Sequence, residues 1–180
     1  FKKEKKKAEI HLEFCMLLYR RQLREGLHFL HEHPWGARSW RLKSVADLMS
    51  NGRVFTVEGH MCRSGMDTHV RERDGPRGLV KEPTGFMTSS RCIADRLGIK
   101  CAGHHSHVHL VGGRAAGAQV YPPELCKAIV KGVIDQKAIE KKNRVSTAVM
   151  DSKQLRGFVR SLSSCSIGTV KEFIGRSIPV

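Results

Sequence analysis

A chain of 180 residues with 40% hydrophobic content is long enough for one domain with a real core, and an aromatic content of 6% rests that core on Leu, Val and Ile. Lys and Arg outnumber Asp and Glu by 32 to 17, a formal charge of +15, which favours a polyanionic partner: DNA first, RNA second. No apolar run reaches the roughly 20 residues that cross a bilayer, no apolar stretch follows the basic start as in a secretory leader, and the six cysteines are scattered like reduced thiols, so a membrane span and a disulfide scaffold are excluded and an intracellular setting, nucleus or cytoplasm, is expected.

In chain order, Ala8, Leu12, Cys15, Tyr19 and Leu23 recur at helical spacing and predict an amphipathic helix over residues 5–25. Gly26 stands where such a helix stops. Residues 27–30 form a short apolar run closed by Pro34, and predict a central, buried strand. Residues 42–49 predict a short helix with Ser39 as its cap and Asn51-Gly52 as the turn beyond it. A second strand is expected over 54–57, an exposed loop over 67–78, and a hairpin or irregular strand over 78–89 that Pro83 bends or keeps at an edge. Residues 91–97 predict a helix. Residues 101–117 read as a His- and Gly-rich loop flanking a short strand at 108–111, and a helix starts at Pro122-Pro123 and continues over 124–133. Beyond residue 135 the pattern weakens into a linker with helical stretches at 155–162 and 170–174. The first residue is Phe1, and the end at Val180 has no cap or tail, so both ends read as cuts from a longer polypeptide.

Three groups of residues have chemical potential. His31-Glu32-His33-Pro34 follows the first strand, where ligands bind in open α/β sheets, and the proline stiffens the aim of Glu32. The second group is Cys62, Gly65 and the stretch Lys81-Glu82-Pro83-Thr84-Gly85-Phe86. The third runs from Cys101 through His109 to Gly112-Gly113-Arg114, Gln119 and Tyr121-Pro122-Pro123-Glu124-Leu125-Cys126. Glycine lets a phosphate approach the backbone, and arginine pairs with it through two bonds.

The order of these pieces resembles the C-terminal half of an S-adenosylmethionine-dependent DNA methyltransferase domain, and more narrowly the methyltransferase-like segment of copia-type retrotransposon polyproteins. The matching pieces lie within residues 8–134 and comprise 29–34 with Ser39-Trp40, 59–66, 81–89 and 107–128. The resemblance implies a partial Rossmann-like α/β sheet flanked by helices over residues 1–134, with 135–180 as a linker. It also implies that Glu32 holds the edge of a flipped target base, with His33 where the family has Asn or another polar residue. Lys81-Glu82-Pro83-Thr84 resembles a Lys-Pro-Thr piece of phage-type enzymes with Glu82 inserted. By the same resemblance Lys81, Thr84, Arg114 and Gln119 line the DNA side. The family's S-adenosylmethionine loop and its Pro-Cys nucleophile segment would lie upstream of Phe1. No cysteine here follows a proline, and covalent catalysis needs an activated thiolate, so methyl transfer by this fragment alone is not expected. The missing upstream part of the parent polypeptide is an expected partner.

Zinc is the main rival reading. Cys101, His104, His105, His107 and His109 are ligand types packed closely, with Cys62 or Cys92 available to complete a tetrahedral shell. If the histidines alternate along a strand they share one face, so only a subset, with Cys101, His104, His107 and His109 as the candidate set, converges. A His-metal nuclease would need an Asp or Asn partner at fixed spacing that is not visible. A decayed structural module is the third alternative, with Lys2 to Lys7 a solvated helix face.

Overall fold

The computed structural model describes residues 2–70, 75–110 and 120–163. The chain divides into two units, Phe1–Gln136 and Lys137–Val180, and the fold described here is that of the first. Helix α1, Lys2–Arg24, forms as the apolar spacing predicts. It ends as the sequence indicates: Gly26 takes φ +69°, and the amides of Gly26 and Leu27 donate to the carbonyls of Leu23 and Gln22. These bonds satisfy carbonyls that the helix end would otherwise leave bare.

The central sheet has three strands: β1, Leu30–Pro34, β2, Phe55–His60, and β5, Pro83–Thr88, in the order β1-β5-β2. Both neighbours of β5 run antiparallel to it, so the described residues form a mixed α/β unit and not the parallel Rossmann-like sheet implied by the resemblance. The physical reason is the late strand. β1 and β2 run parallel to each other and are joined through α2, Lys43–Met49, as in a strand-helix-strand unit, but β5 lies between them. A local pattern read along the chain cannot register a strand inserted from 23 residues further on, between His60 and Pro83.

Four other expectations change. β1 starts at Leu30 and contains His31-Glu32-His33, and it is an edge strand rather than the central one. Ser39 does not cap α2; it belongs to a 3-10 turn, Arg38–Arg41, and its hydroxyl is buried without a hydrogen-bond partner. The supposed loop at 67–78 contains a small hairpin, β3, Asp67–His69, with β4, Arg77–Leu79, held by Arg77 against the Asp67 carboxylate at 2.5 Å. Residues 108–110 form no strand, although the Val108 amide donates to the Leu79 carbonyl at 2.8 Å. The bend before β5 falls at Glu82, φ +22°, and Pro83 is tolerated because it opens the strand.

Alternation along the strands makes two cores. One face carries Met87 against Met16, Leu23, Phe29, Val45 and Leu48, with Leu12, Cys15 and Tyr19 of α1 packed on them. The other carries Phe86 against Met61, Met66, Val80, Ile93, Leu97 and Leu125. Helix α3, Arg91–Leu97, is capped by Ser90, whose hydroxyl oxygen accepts from the Ile93 amide at 3.2 Å and donates to Gln136 at 3.0 Å. Helix α4, Pro123–Ser163, starts at the expected proline and continues without a break past residue 135; residues 170–174 lie outside the described ones. Among the described residues no helix is long and apolar enough to cross a membrane.

His31 is wedged between α1 and the sheet, 3.3 Å from the Tyr19 hydroxyl and edge-on to Trp40. Burial, and then the neighbouring His33, push its pKa from 6.5 down to about 4. The unfolded chain therefore takes up this proton before the folded one. The contribution is fully present above about pH 6.5 and is lost as pH falls towards 4. Between pH 7 and 5 the loss should be on the order of 1–2 kcal/mol after allowance for partial exposure. Urea unfolding of the native protein and of His31→Gln across this range should give curves that converge at low pH; parallel curves would remove His31 as the cause.

Candidate metal centre

The carboxyl ends of β1 and β2 and the start of β5 lie at one end of the sheet, since Pro34 pairs with Thr84 and His60 with Pro83. From the end of β2 the chain enters a 3-10 turn, Met61–Ser64, that presents Cys62 and closes at Gly65 with φ +80°. The turn is anchored to the lead-in of β5 by the Met61 amide, which donates to the Lys81 carbonyl at 2.9 Å. Beyond α3 the chain returns to the same place. The His60 amide donates to the Ile99 carbonyl at 3.1 Å, and the Cys101 amide donates to His60 Nδ1 at 2.9 Å.

The result is a group of four ligand types, Cys62, Cys101, His105 and His107, whose donor atoms all lie within 4.8 Å of one another. Cys101 Sγ is 3.6 Å from His105 Nε2 and 3.5 Å from His107 Nε2. A tetrahedral zinc ion with bonds of about 2.3 Å to sulfur and about 2.05 Å to nitrogen would set such an edge at about 3.6 Å. A metal cation between them would engage the sulfur and both ring nitrogens together. This group can hold a metal ion, and its two sulfurs and two nitrogens are the donor set of structural zinc sites.

The surroundings suit that charge. The Gly103 amide donates to Cys101 Sγ at 3.3 Å. Burial, and then its contact with Cys101, raise the Cys62 thiol, so a metal must displace its proton. His107 is lowered by burial first and then by His105, Lys81, His60 and His109, which keeps the ring neutral and its nitrogen free to ligate. Since His60 Nδ1 accepts from Cys101, its Nε2 carries the proton and donates to Glu58 Oε1 at 3.2 Å. Glu58 is in turn paired with Lys100, the main cause of its lowered pKa. This relay sets the tautomer of His60 and the position of Cys101.

No family profile matches the chain, and no curated protein or solved structure matches it either. The centre therefore rests on its own geometry. The group shares Cys101 and His107 with the candidate set Cys101, His104, His107 and His109, and contains Cys62 and His105 where that set has His104 and His109, which are exposed and outside the group. The reason is that residues 104–109 are not a strand, so alternation does not decide which rings converge. Cys92 sits on α3, where its amide meets Gln136 at 3.4 Å, and it takes no part in the group. His60, Glu58 and Lys100 form no ligand-type pattern along the chain; the one signal the sequence offers is a histidine two residues before Cys62.

The other expected site residues are spread apart. Glu32 lies on β1 facing the Phe86 side of the sheet, and its carboxylate accepts the Tyr121 hydroxyl at 2.7 Å. Burial, and then that bond, raise Tyr121 to about 12, so it stays a donor. Thr84 is 1% exposed and turns its hydroxyl to the Glu82 carbonyl at 3.2 Å, so it offers no surface to a nucleic acid. Lys81 is exposed and borders an open groove of about 450 Å³ with Glu82, Pro83, His107 and His109. Arg114 and Gln119 lie outside the described residues.

Proposed function

We propose that this chain is a zinc-stabilised nucleic-acid-binding module, of the kind that a retroelement polyprotein like those the sequence resembles would carry. The observation that carries this reading is the convergence of Cys62, Cys101, His105 and His107 at the sheet end. Four protein ligands leave no position for a reacting water, so the ion's work is to hold backbone in place. What it holds is basic. Arg38, Arg41, Arg63 and Lys81 are exposed around this end, and none has a carboxylate partner among the described residues. With a formal charge of +15, such cations favour phosphate and the release of its counterions.

The test is a titration of the zinc-loaded chain against nucleic acid at several salt concentrations. The logarithm of the affinity should fall linearly with the logarithm of salt, and Lys81→Ala should make that slope shallower by about one. Salt-independent binding, or none at low salt, would leave the positive charge without this role.

A further inference from the structure

We propose that Trp35, with Arg38 and Arg41 on the 3-10 turn that follows it, is a stacking site for an unpaired base, and that the nucleic acid this module takes is therefore single-stranded. The inference rests on the nucleic-acid reading above and adds the form of the strand.

Trp35 leaves the carboxyl end of β1, the same sheet end as the metal centre. Its amide donates to the Pro83 carbonyl at 3.0 Å, which ties its backbone to β5. Its ring is seated against Gly85: a Cβ there would lie 3.1 Å from Trp35 Cε3 and 2.5 Å from Trp40 Cζ2. Only glycine lets both rings come so close to the sheet.

The two indoles then differ in use. Trp40 donates its Nε1 hydrogen to the Pro34 carbonyl at 2.9 Å and packs against His31 and His33. Trp35 remains 41% exposed, and its indole N–H has no partner among the described residues. A large aromatic held rigidly by its neighbours and still wet loses little freedom on binding a flat apolar face.

Charge selects the partner. Arg38 and Arg41 lie on the 3-10 turn that begins three residues after Trp35, both exposed and without carboxylate partners among the described residues. An aromatic surface beside unpaired arginines suits a base with its phosphates. Bases inside a duplex keep their faces stacked on each other, whereas a single strand offers them.

The experiment uses the zinc-loaded chain with a labelled single-stranded oligonucleotide and with the duplex of the same sequence. Adding the single strand should quench the intrinsic tryptophan fluorescence of the native protein. Trp35→Ala should weaken single-strand binding about 5- to 100-fold, and Trp35→Phe should recover most of it. Duplex affinity, salt slope and zinc content should stay as in the native protein. Single-strand binding that survives Trp35→Ala, equal losses on both forms, or no quenching in the native protein would each overturn the stacking site while leaving nucleic-acid binding in place. If the native protein binds neither form, the nucleic-acid reading itself falls, and this inference falls with it.

Discussion

Chelating the metal, or replacing one of its cysteines, should produce the largest loss of stability in this protein. The chain should retain one zinc ion per molecule, and Cys101→Ser, Cys62→Ser and His105→Ala should each lose it. The segment at stake, residues 101–110, has no regular secondary structure. Its attachments include the Cys101 amide on His60 and the Val108 amide on the Leu79 carbonyl. Ordering backbone costs about 1–2 kcal/mol per residue, so a metal bound by Cys101, His105 and His107 is expected to hold this irregular segment in place. Structural zinc in finger peptides binds with an apparent 10–16 kcal/mol, roughly, and free metal at a thousandfold excess over Kd stabilises by about 4 kcal/mol. The chelated chain should therefore unfold at least about 4 kcal/mol more easily in urea. Cobalt in place of zinc should show the visible absorption of thiolate coordination, and Cys126→Ser, at an exposed thiol outside the group, should change nothing. Equal unfolding midpoints with and without chelator would remove the metal from the fold. Metal uptake should also release protons, since the raised Cys62 thiol is protonated at neutral pH in the free protein.

Gly59→Ala should be the second most damaging change, and it should weaken metal binding from a distance. A methyl group at Gly59 would lie 2.3 Å from the Leu97 carbonyl oxygen and 3.0 Å from Phe86 Cε2. The first obstacle is backbone at the end of α3, so relief requires β2 and α3 to separate. Overpacking of this kind costs about 1–3 kcal/mol and more where backbone must move, and about 3 kcal/mol is expected here. The same separation pulls on the His60 amide bond to the Ile99 carbonyl and on the Cys101 amide bond to His60. Zinc affinity should therefore drop although no ligand has changed. Gly52→Ala is the control, since a methyl group there has nothing within 4 Å and should leave both properties unchanged. Unfolding curves and competitive zinc titrations of the two variants decide the matter; if Gly59→Ala behaves like Gly52→Ala, the β2–α3 contact is looser than described.

The helices were readable from the chain because their determinants are local. Leu12, Cys15, Tyr19 and Leu23 lie on the packed stripe of α1, whose most buried member is Met16, while Ala8 is exposed; Gly26 marks the helix end by supplying a left-handed φ. α2, α3 and the proline start of α4 follow from the same kind of short-range signal. The first strand was less readable. Its apolar lead-in, residues 27–29, is adjacent to the strand, while the polar His31-Glu32-His33 pairs with β5. Polar residues suit an edge strand that has only one neighbour, and nothing nearby in sequence says which strand that neighbour is. The hairpin at Asp67 and Arg77 was hidden for a related reason, since an ion pair ten residues apart leaves no periodic trace.

The sequence by itself determined the amphipathic helices, the basic charge and the concentration of ligand-type side chains in residues 101–109. Tertiary structure alone decided the antiparallel order β1-β5-β2 and, through it, the membership of the metal group. Cys62 lies 39 residues before Cys101, and only the return of the chain past α3 to the end of β2 brings the two together. Periodicity reports what a residue shares with its near neighbours, whereas a tetrahedral site depends on where distant segments meet.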